Sequence, residues 1–294
     1  MNILRSMLFV PGDSEKKMAK AASVGADALI LDLEDSVAAQ RRPLAREMTL
    51  AYLKSADRSK GELWVRMNPL DSTDALPDLV AIVAGRPDGI ALPKCEGPHH
   101  MLQLSHYLEV LEIQHGIPVG SIGITAIATE TAAAPFTLGQ YKGTPRLRVL
   151  TWGAEDLGAA LGASSNKDEH GVYTAPYVLA RSLCLFGAYA AGVQALDTVQ
   201  PDFRAPDKLL KECNEARRDG FLGKIAIHPD QVAVINDAFT PSAAEVAHAL
   251  AVIAAFAANP EAGTLSLDGK MIDKPHLKQA ERVMLIAKRA KERV

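Results

Sequence analysis

The sequence predicts a (β/α)8 barrel, and three observations support this fold class. Eight short apolar runs alternate with longer segments that have helical character. Each run is almost continuously apolar, which is typical of parallel strands covered on both faces. The eight repeats occupy about 230 residues, the usual size of such a barrel. A doubly wound open sheet with fewer true strands is the alternative.

Longer segments separate the predicted strands. Segments such as EKKMAKAASVG and HHMLQLSHYLEVLEIQHG between them have helical character, and Gly25, Gly116 and Gly220 stand where helices can end. In order, the apolar runs are SMLFVPG (6–12), ALILDLED (28–35), LWVRMN (63–68), GIALPK (89–94), SIGITAIATE (121–130), RVLTWGAED (148–156), ALDTV (195–199) and GKIAIHP (223–229).

The pattern changes after His228. Residues 241–258 are rich in alanine and predict a helix, and the Gly-, Pro- and Asp-punctuated segment NPEAGTLSLDGKMIDKP predicts a connection. A last helix is expected over residues 275–293. Its apolar stripe consists of Leu277, Ala280, Val283, Met284 and Ala287. We divide the chain into a barrel domain, residues 1–240, and a C-terminal helical extension, residues 241–294. The stripe covers either its own barrel or, as we favour, a neighbouring subunit.

Composition and charge argue against several classes of protein. The net charge is −3 and no run of Lys or Arg indicates a nucleic-acid partner. The cysteines Cys95, Cys184 and Cys213 lack metal or disulfide spacing and are typical of reduced thiols in the cytoplasm. The N-terminal MNILRSMLFVPG is too short for a signal peptide core. No apolar run approaches the roughly 20 residues of a membrane span, so we expect a cytoplasmic protein without a membrane partner.

Charged side chains follow almost every predicted strand, whereas the strand starts carry almost none. The carboxyl ends of barrel strands share one face, where active sites lie. Carboxylates that converge there repel one another unless a cation joins them. Oxygen ligands without a His or Cys set suit Mg²⁺, and Mn²⁺ after it. The residues concerned are Asp32, Glu34, Asp35, Arg66, Lys94, Glu130, Glu155, Asp156 and Asp197.

Glu130 and Asp156 supply the number of carboxylates that Mg²⁺ usually takes from a protein. The planar guanidinium of Arg66 can donate two parallel hydrogen bonds, which suits a carboxylate or a developing oxyanion. Other interpretations stay open for each residue. Asp32 and Glu34 could form salt bridges with the arginine and lysine of the next two strands instead of contacting substrate. Glu130 and Asp156 could simply occupy helix N-termini.

Several motifs occur in an order that resembles a known family. They are RSMLFVPG, GADALILDLEDSV, VRMNPL, IATETAAA, WGAEDLGAALG, GFLGKIAIHPDQV and DGKMIDKPHLKQAERV. Together they resemble the citrate lyase β-subunit-like family of the HpcH/HpaI aldolase superfamily, from about residue 5 to the C-terminus. The resemblance implies a TIM barrel, a bound Mg²⁺, and carbon–carbon cleavage or Claisen condensation of acyl thioesters. It also implies a homotrimer or homohexamer.

The resemblance implies roles for individual residues. Glu130 in ATET and Asp156 in GAEDL match the two metal ligands, and Arg66 in VRMN matches the catalytic arginine that binds the keto-acid part and its oxyanion. Asp273 in MIDKP matches a general acid/base that, in malyl-CoA and citramalyl-CoA lyases, reaches across from the neighbouring subunit. The segment DLEDS matches an acidic pair that holds water on the metal or orients the arginine. Residues assigned to substrate binding are Arg66, Glu34, Asp35 and Glu155.

The CoA site departs from the family pattern. After the first strand, relatives often carry arginines that meet the CoA phosphates. Here the segment is GDSEKKMAK, with Ser14 and Lys17 at those places, and we assign Lys17 and Lys20 to CoA binding. A lysine ammonium is a point charge and cannot bind a phosphate through two parallel hydrogen bonds as arginine does. A thioester of an acyl carrier protein therefore stays an alternative to a CoA thioester.

The expected function is that of a Mg²⁺-dependent carbon–carbon lyase. Its substrate is a β-hydroxyacyl-CoA thioester such as citryl-, malyl- or citramalyl-CoA, and its products are an acyl-CoA and an α-keto acid. One alternative is a pyruvate-releasing aldolase acting on a free 4-hydroxy-2-keto acid, and another is a malyl-CoA thioesterase. A third is a non-catalytic subunit that binds a metabolite on a barrel scaffold, since a fold alone does not specify an activity.

Overall fold

A computed structural model describes residues 3–291 of the chain, which divide into two units. The first unit comprises residues 4–236, and the second comprises residues 237–291 together with Ile3. The barrel predicted from the sequence occupies the first unit.

Eight parallel strands form the sheet of the first unit, in the order β7-β6-β5-β4-β3-β2-β1-β8. A parallel bridge between Asp197 and Lys224 joins the two ends of this order and closes the barrel. The barrel prediction is therefore confirmed, and the open sheet is excluded. The strands are β1 (Ser6–Pro11), β2 (Ala28–Asp32), β3 (Glu62–Arg66), β4 (Gly89–Leu92), β5 (Gly123–Ile127), β6 (Leu147–Thr151), β7 (Gln194–Leu196) and β8 (Lys224–Ala226).

Helices connect the strands, with one exception. Between β5 and β6 the chain forms a 3₁₀ helix, Ala134–Gln140, instead of an α-helix. Gly220 ends α7 with a φ of 117°, a left-handed conformation that glycine adopts without steric cost. The α-helices are α1 (Glu15–Ala21), α2 (Arg42–Ser55), α3 (Ala75–Ile82), α4 (Pro98–Gln114), α5 (Ala154–Leu161), α6 (Ala175–Ala191), α7 (Pro206–Asp219) and α8 (Gln231–Phe239).

The barrel interior is filled by apolar side chains from several strands. Trp64 is fully buried there and packs with residues such as Ala28, Ile30 and Val149. A Cβ at Gly89 would lie 2.2 Å from the Trp64 ring, so β4 needs glycine opposite the indole. Active sites of such barrels lie at the carboxyl ends of the strands.

The second unit contains two helices and a β-hairpin. Helix α9 (Ala243–Ala258) begins with a capping box between Ser242 and Glu245. The hairpin pairs β9 (Thr264–Leu267) with β10 (Lys270–Asp273) and is followed by α10 (Lys274–Lys291). The connection predicted for this segment is thus a hairpin, whose turn places Asp268 and Gly269 at positive φ.

The apolar stripe of α10 packs inside the second unit. Ala280 is buried in one cluster with Val252 and Phe256 of α9 and Ile272 of β10, and Leu277, Val283 and Met284 pack against this cluster. The sequence left a barrel or a neighbouring subunit as the cover of this stripe. In the described structure α9 and the hairpin pack against it, and packing on a neighbouring subunit stays a prediction.

One stretch of the described residues, Gln231–Ala258, has the length and composition of a possible membrane span, with 17% of its most apolar window buried. Thr240, Pro241 and Ser242 interrupt this stretch between α8 and α9. The two helices therefore have 9 and 16 residues each.

Candidate active site

A cavity of about 400 Å³ opens at the carboxyl ends of the barrel strands. Its wall is mixed, because apolar side chains from the barrel interior meet charged side chains from the strand ends. The charged lining residues are Asp32, Asp35, Arg66, Glu130, Glu155 and Asp156. The structure thus brings together most of the site residues expected from the sequence.

Arg66 is held by acidic residues of the neighbouring strand β2. Its Nε and Nη2 atoms donate to the two carboxylate oxygens of Asp32, each at 2.7 Å. Its Nη1 atom lies 2.9 Å from Glu34 Oε2, without hydrogen-bond alignment, and 3.3 Å from Asp35 Oδ2. The salt-bridge alternative for Asp32 and Glu34 is therefore what the structure shows.

The position of Arg66 follows from strand register. Asp32 and Arg66 are paired residues at the ends of the parallel strands β2 and β3, so their side chains emerge side by side. Phe9 of β1 packs against the guanidinium, with its ring centre 4.5 Å from Arg66 Cζ. A guanidinium has five N–H donors, and these contacts leave Nη2 with a second N–H for a substrate oxygen in the cavity that Arg66 lines.

Charge pairing with Arg66 favours the ionised form of the buried Asp32 carboxylate. Burial alone would raise the pKa of Asp32, but the hydrogen bonds and the charge of Arg66 hold that pKa below its ordinary value. Burial dominates at Glu34 and raises its pKa, although Arg66 and Lys94 oppose the shift. Two carboxyl groups on one short segment therefore have opposite pKa shifts.

Lys94 lies among the acidic residues, two positions after β4. Its Nζ is 2.6 Å from Glu34 Oε1 and 3.2 Å from Asp156 Oδ1. Its backbone N–H donates to Glu130 Oε2 at 2.6 Å. Burial opposes the charge of Lys94, but the hydrogen bond to Glu34 and the nearby carboxylates raise its pKa, so the ammonium stays protonated. The sequence analysis placed Lys94 at a strand end but did not assign it to the site.

Glu130 is a buried acid of the cavity with a raised pKa. Only 5% of its surface is exposed, and burial together with the charge of Asp156 raises its pKa to about 8. Gly153 passes so close that a Cβ there would lie 2.7 Å from Glu130 Cγ. Thr129 fixes this approach, because its hydroxyl accepts a hydrogen bond from the N–H of Gly153 at 3.0 Å. The carboxylate is thus confined between the ends of β5 and β6.

Asp156 and Glu155 occupy the first turn of α5, directly after β6. Asp156 is partly exposed and faces Lys94, and Glu155 accepts a hydrogen bond from Asn166 Nδ2 at 3.0 Å. No side chain caps this helix at Gly153. The N-cap alternative for Asp156 is therefore not what the structure shows, although acids in a first turn favour any helix through its dipole.

The donor set fits a hard divalent cation. Five carboxylates, from Asp32, Glu34, Asp35, Glu130 and Asp156, surround only the two cations Arg66 and Lys94, an excess of three negative charges when all are ionised. A buried carboxyl whose pKa is raised by burial and a neighbouring acid recovers its charge when a cation lies beside it. Glu130 and Asp156 could hold Mg²⁺, which prefers carboxylate and water ligands.

A second group of metal-ligating side chains lies in the turn after Lys94. The ligand atoms of Glu96, His99 and His100 all lie within 4.8 Å of one another. Two imidazoles suit softer metals such as Zn²⁺ better than Mg²⁺. This group therefore does not compete with the carboxylates as the candidate Mg²⁺ site.

The remaining predicted residues lie elsewhere. Lys17 and Lys20 are exposed on α1, the helix that follows β1. Asp273 belongs to the second unit, at the end of β10. There its carboxylate lies 2.5 Å from His276 Nδ1, and this hydrogen bond lowers the pKa of Asp273.

The chain is similar to known proteins over most of its length. Residues 5–229 match the family model described as HpcH/HpaI aldolase/citrate lyase. The mitochondrial citramalyl-CoA lyase of Rattus norvegicus is 35% identical over 305 residues, 98% of this chain and 87% of that protein. The (3S)-malyl-CoA thioesterase of Cereibacter sphaeroides is 32% identical, over 95% of this chain and 93% of its own.

A solved structure covers the whole length. It is protein CitE of Mycobacterium tuberculosis in complex with magnesium, acetoacetate and coenzyme A, with a TM-score of 0.79 and 32% identity over 97% of this chain and 98% of that one. The family match extends over the barrel and all the cavity residues described above. On this evidence, the chain belongs to the HpcH/HpaI aldolase/citrate lyase family.

Proposed function

We propose that this protein is a Mg²⁺-dependent carbon–carbon lyase acting on a β-hydroxyacyl-CoA thioester. It cleaves the thioester to an acyl-CoA and an α-keto acid, or forms it by the reverse condensation. The observation that carries the proposal is the meeting of Glu130, Asp156 and Arg66 in one cavity. Relatives that act on citramalyl-CoA or bind magnesium and coenzyme A support this substrate class.

Each part of the site has a task in this reaction. Glu130 and Asp156 would hold Mg²⁺, which would supply Lewis-acid stabilisation of the substrate oxygens. The free N–H of Arg66 donates to the oxygen on which negative charge develops, and Asp32 keeps the guanidinium in the orientation that this requires. The apolar part of the cavity wall lowers the local dielectric constant, which strengthens these interactions.

The proton needed by the acyl-thioester enolate has to come from another group. We assign this general acid/base to Asp273. In the condensation direction its carboxylate, ionised beside His276, would remove the proton from the acyl thioester, and in the cleavage direction the protonated acid would return a proton to the enolate. A homotrimer or homohexamer would allow the second unit of one subunit to contribute Asp273 to a neighbouring barrel. Lys17 and Lys20, both exposed on α1, are proposed to meet the CoA phosphates or those of an acyl carrier protein. The cytoplasmic location stays a prediction.

A second candidate function is hydrolysis of the thioester, which the relatedness to a malyl-CoA thioesterase favours. One experiment separates the two. The protein is incubated with Mg²⁺ and a panel of hydroxyacyl-CoA thioesters, and keto acid and free CoA are measured separately. Keto acid with acyl-CoA supports the lyase, and free CoA with intact hydroxy acid supports the thioesterase. Neither product from any thioester would contradict both and favour a binding subunit.

A further inference from the structure

Lys94 contacts three of the acidic side chains at the candidate metal site. Its side chain reaches Glu34 Oε1 at 2.6 Å and Asp156 Oδ1 at 3.2 Å. Its main-chain N–H reaches Glu130 Oε2 at 2.6 Å. One residue therefore connects the acids that follow β2, β5 and β6.

The backbone at Lys94 is adapted to this arrangement. Lys94 has a φ of 49°, a left-handed conformation that is unfavourable for a residue with a Cβ. Such conformations persist where the surrounding structure enforces them, and they cluster at functional sites. Here the turn presents the N–H of Lys94 to Glu130 and its side chain to the other two acids.

Lys94 is the more exposed of the two cations beside these acids. Arg66 is buried and is fixed by two hydrogen bonds to Asp32, with 10% of its side chain exposed. Lys94 has 33% of its side chain exposed on a flexible four-carbon stem. The ammonium can therefore leave Asp156 for solvent without disturbing the barrel, whereas the guanidinium is confined.

We propose that Lys94 is a positioning residue that acts as the built-in counter-ion of the metal site. Its ammonium holds Glu34 and Asp156 together in the metal-free protein and competes with a divalent cation for Asp156. This inference rests on the proposed function, because it takes Glu130 and Asp156 as the Mg²⁺ ligands. It assigns Lys94 the task of stabilising the empty site and lowering the affinity for Mg²⁺.

The test measures metal binding without substrate, so it does not depend on turnover. Lys94→Met removes the ammonium and leaves the main-chain N–H in place. Two cations a few ångströms apart repel, so Mg²⁺ binding to this variant should become tighter by roughly tenfold in calorimetric titration. The melting temperature of the metal-free variant should fall, and the rise on adding Mg²⁺ should be larger than in the parent protein.

Two control variants distinguish this role from the general effect of removing one positive charge and from a loss of side-chain packing at Lys94. Lys94→Arg keeps the positive charge and should bind Mg²⁺ with nearly the parent affinity. Lys54→Met makes the same charge change at an exposed position of α2 and should change neither affinity nor stability. Lys94→Gln provides a second neutral variant if methionine prevents folding.

The outcomes are distinct. Equal or weaker Mg²⁺ affinity in a folded Lys94→Met or Lys94→Gln variant would overturn the inference while leaving the lyase proposal intact. A parent protein that binds no Mg²⁺ would overturn both. Tighter binding in the neutral variants, with parent-like binding in Lys94→Arg, supports the role of Lys94 as counter-ion.

Discussion

Asp32 and Arg66 form a buried, two-point ion pair at the paired ends of β2 and β3. The carboxylate is 1% exposed and the arginine 8% exposed. An ion pair this well buried stabilises little overall, but losing one partner leaves an uncompensated charge. The pair therefore fixes the guanidinium at the cavity more than it stabilises the barrel.

Asp32→Asn should reduce stability strongly. Removing one partner of a buried pair costs about 3 kcal/mol in the free energy of unfolding. Asp35 also faces Arg66, at 3.3 Å, but its side chain is 55% exposed. Asp35→Asn is therefore the matched control and should cost less than about 1 kcal/mol. Urea unfolding of both variants measures the difference, and equal losses would contradict the special role of Asp32.

Glu130→Ala and Asp156→Ala should each abolish Mg²⁺-dependent turnover of a hydroxyacyl-CoA thioester. Each change removes a proposed metal ligand from the cavity. Calorimetric titration should show the loss of Mg²⁺ binding in the same variants. Unchanged activity in either variant would remove the metal assignment, whatever the substrate.

The stability of the metal-free protein should depend on the protonation of Glu130. Its pKa is raised from 4.5 to about 8, so between these values the folded chain holds a proton that the unfolded chain has released. The free energy of unfolding contributed by this group is therefore fully present below pH 4.5 and is lost as the pH rises to about 8.

The slope from one such group is at most about 1.4 kcal/mol per pH unit. Urea unfolding in the presence of a chelator measures it, and Glu130→Gln should remove it. Binding of Mg²⁺ should strengthen with pH across the same window, because the ion requires the ionised carboxylate. A slope that persists in Glu130→Gln would assign the titration to another group.

Gly153→Ala should disturb Glu130 without changing the backbone. Gly153 has a φ of −117°, which alanine adopts readily, but the added Cβ would lie 2.7 Å from Glu130 Cγ. The new methyl group would displace the Glu130 carboxylate, a proposed metal ligand, and should therefore weaken Mg²⁺ binding by roughly tenfold. Gly139→Ala, where the Cβ meets nothing within 4 Å, is the control and should bind Mg²⁺ normally.

Asp273→Asn should impair deuterium exchange into the acyl thioester while Mg²⁺ binding stays unchanged. Asp268→Asn changes an acid in the turn of the same hairpin and should leave exchange intact. Full exchange in Asp273→Asn would remove the assignment of general acid/base.

In mixed oligomers, Asp273→Asn and Arg66→Ala subunits should restore some activity if Asp273 acts between subunits. No recovery in verified mixed oligomers would favour a site built within one chain.

The strands could be predicted from the sequence because each is buried on both faces and is therefore apolar throughout. Every predicted run overlaps a strand of the barrel, with ends that differ by up to a few residues. The hairpin at β9 and β10 was missed, although Asp268-Gly269 between two short strands is a strong turn signal. The runs beside it are only partly buried and lack the continuous apolar character of the barrel strands.

The sequence by itself determined the barrel, the family motifs and the charged residues at the strand ends, because burial and strand direction leave a local pattern. The tertiary structure decided which of these charges meet. It paired Asp32 with Arg66, set Lys94 among three acids, and packed the α10 stripe on α9. These contacts depend on strand register and on backbone turns, which bring together segments that are distant in the chain. A local sequence pattern therefore does not predict them.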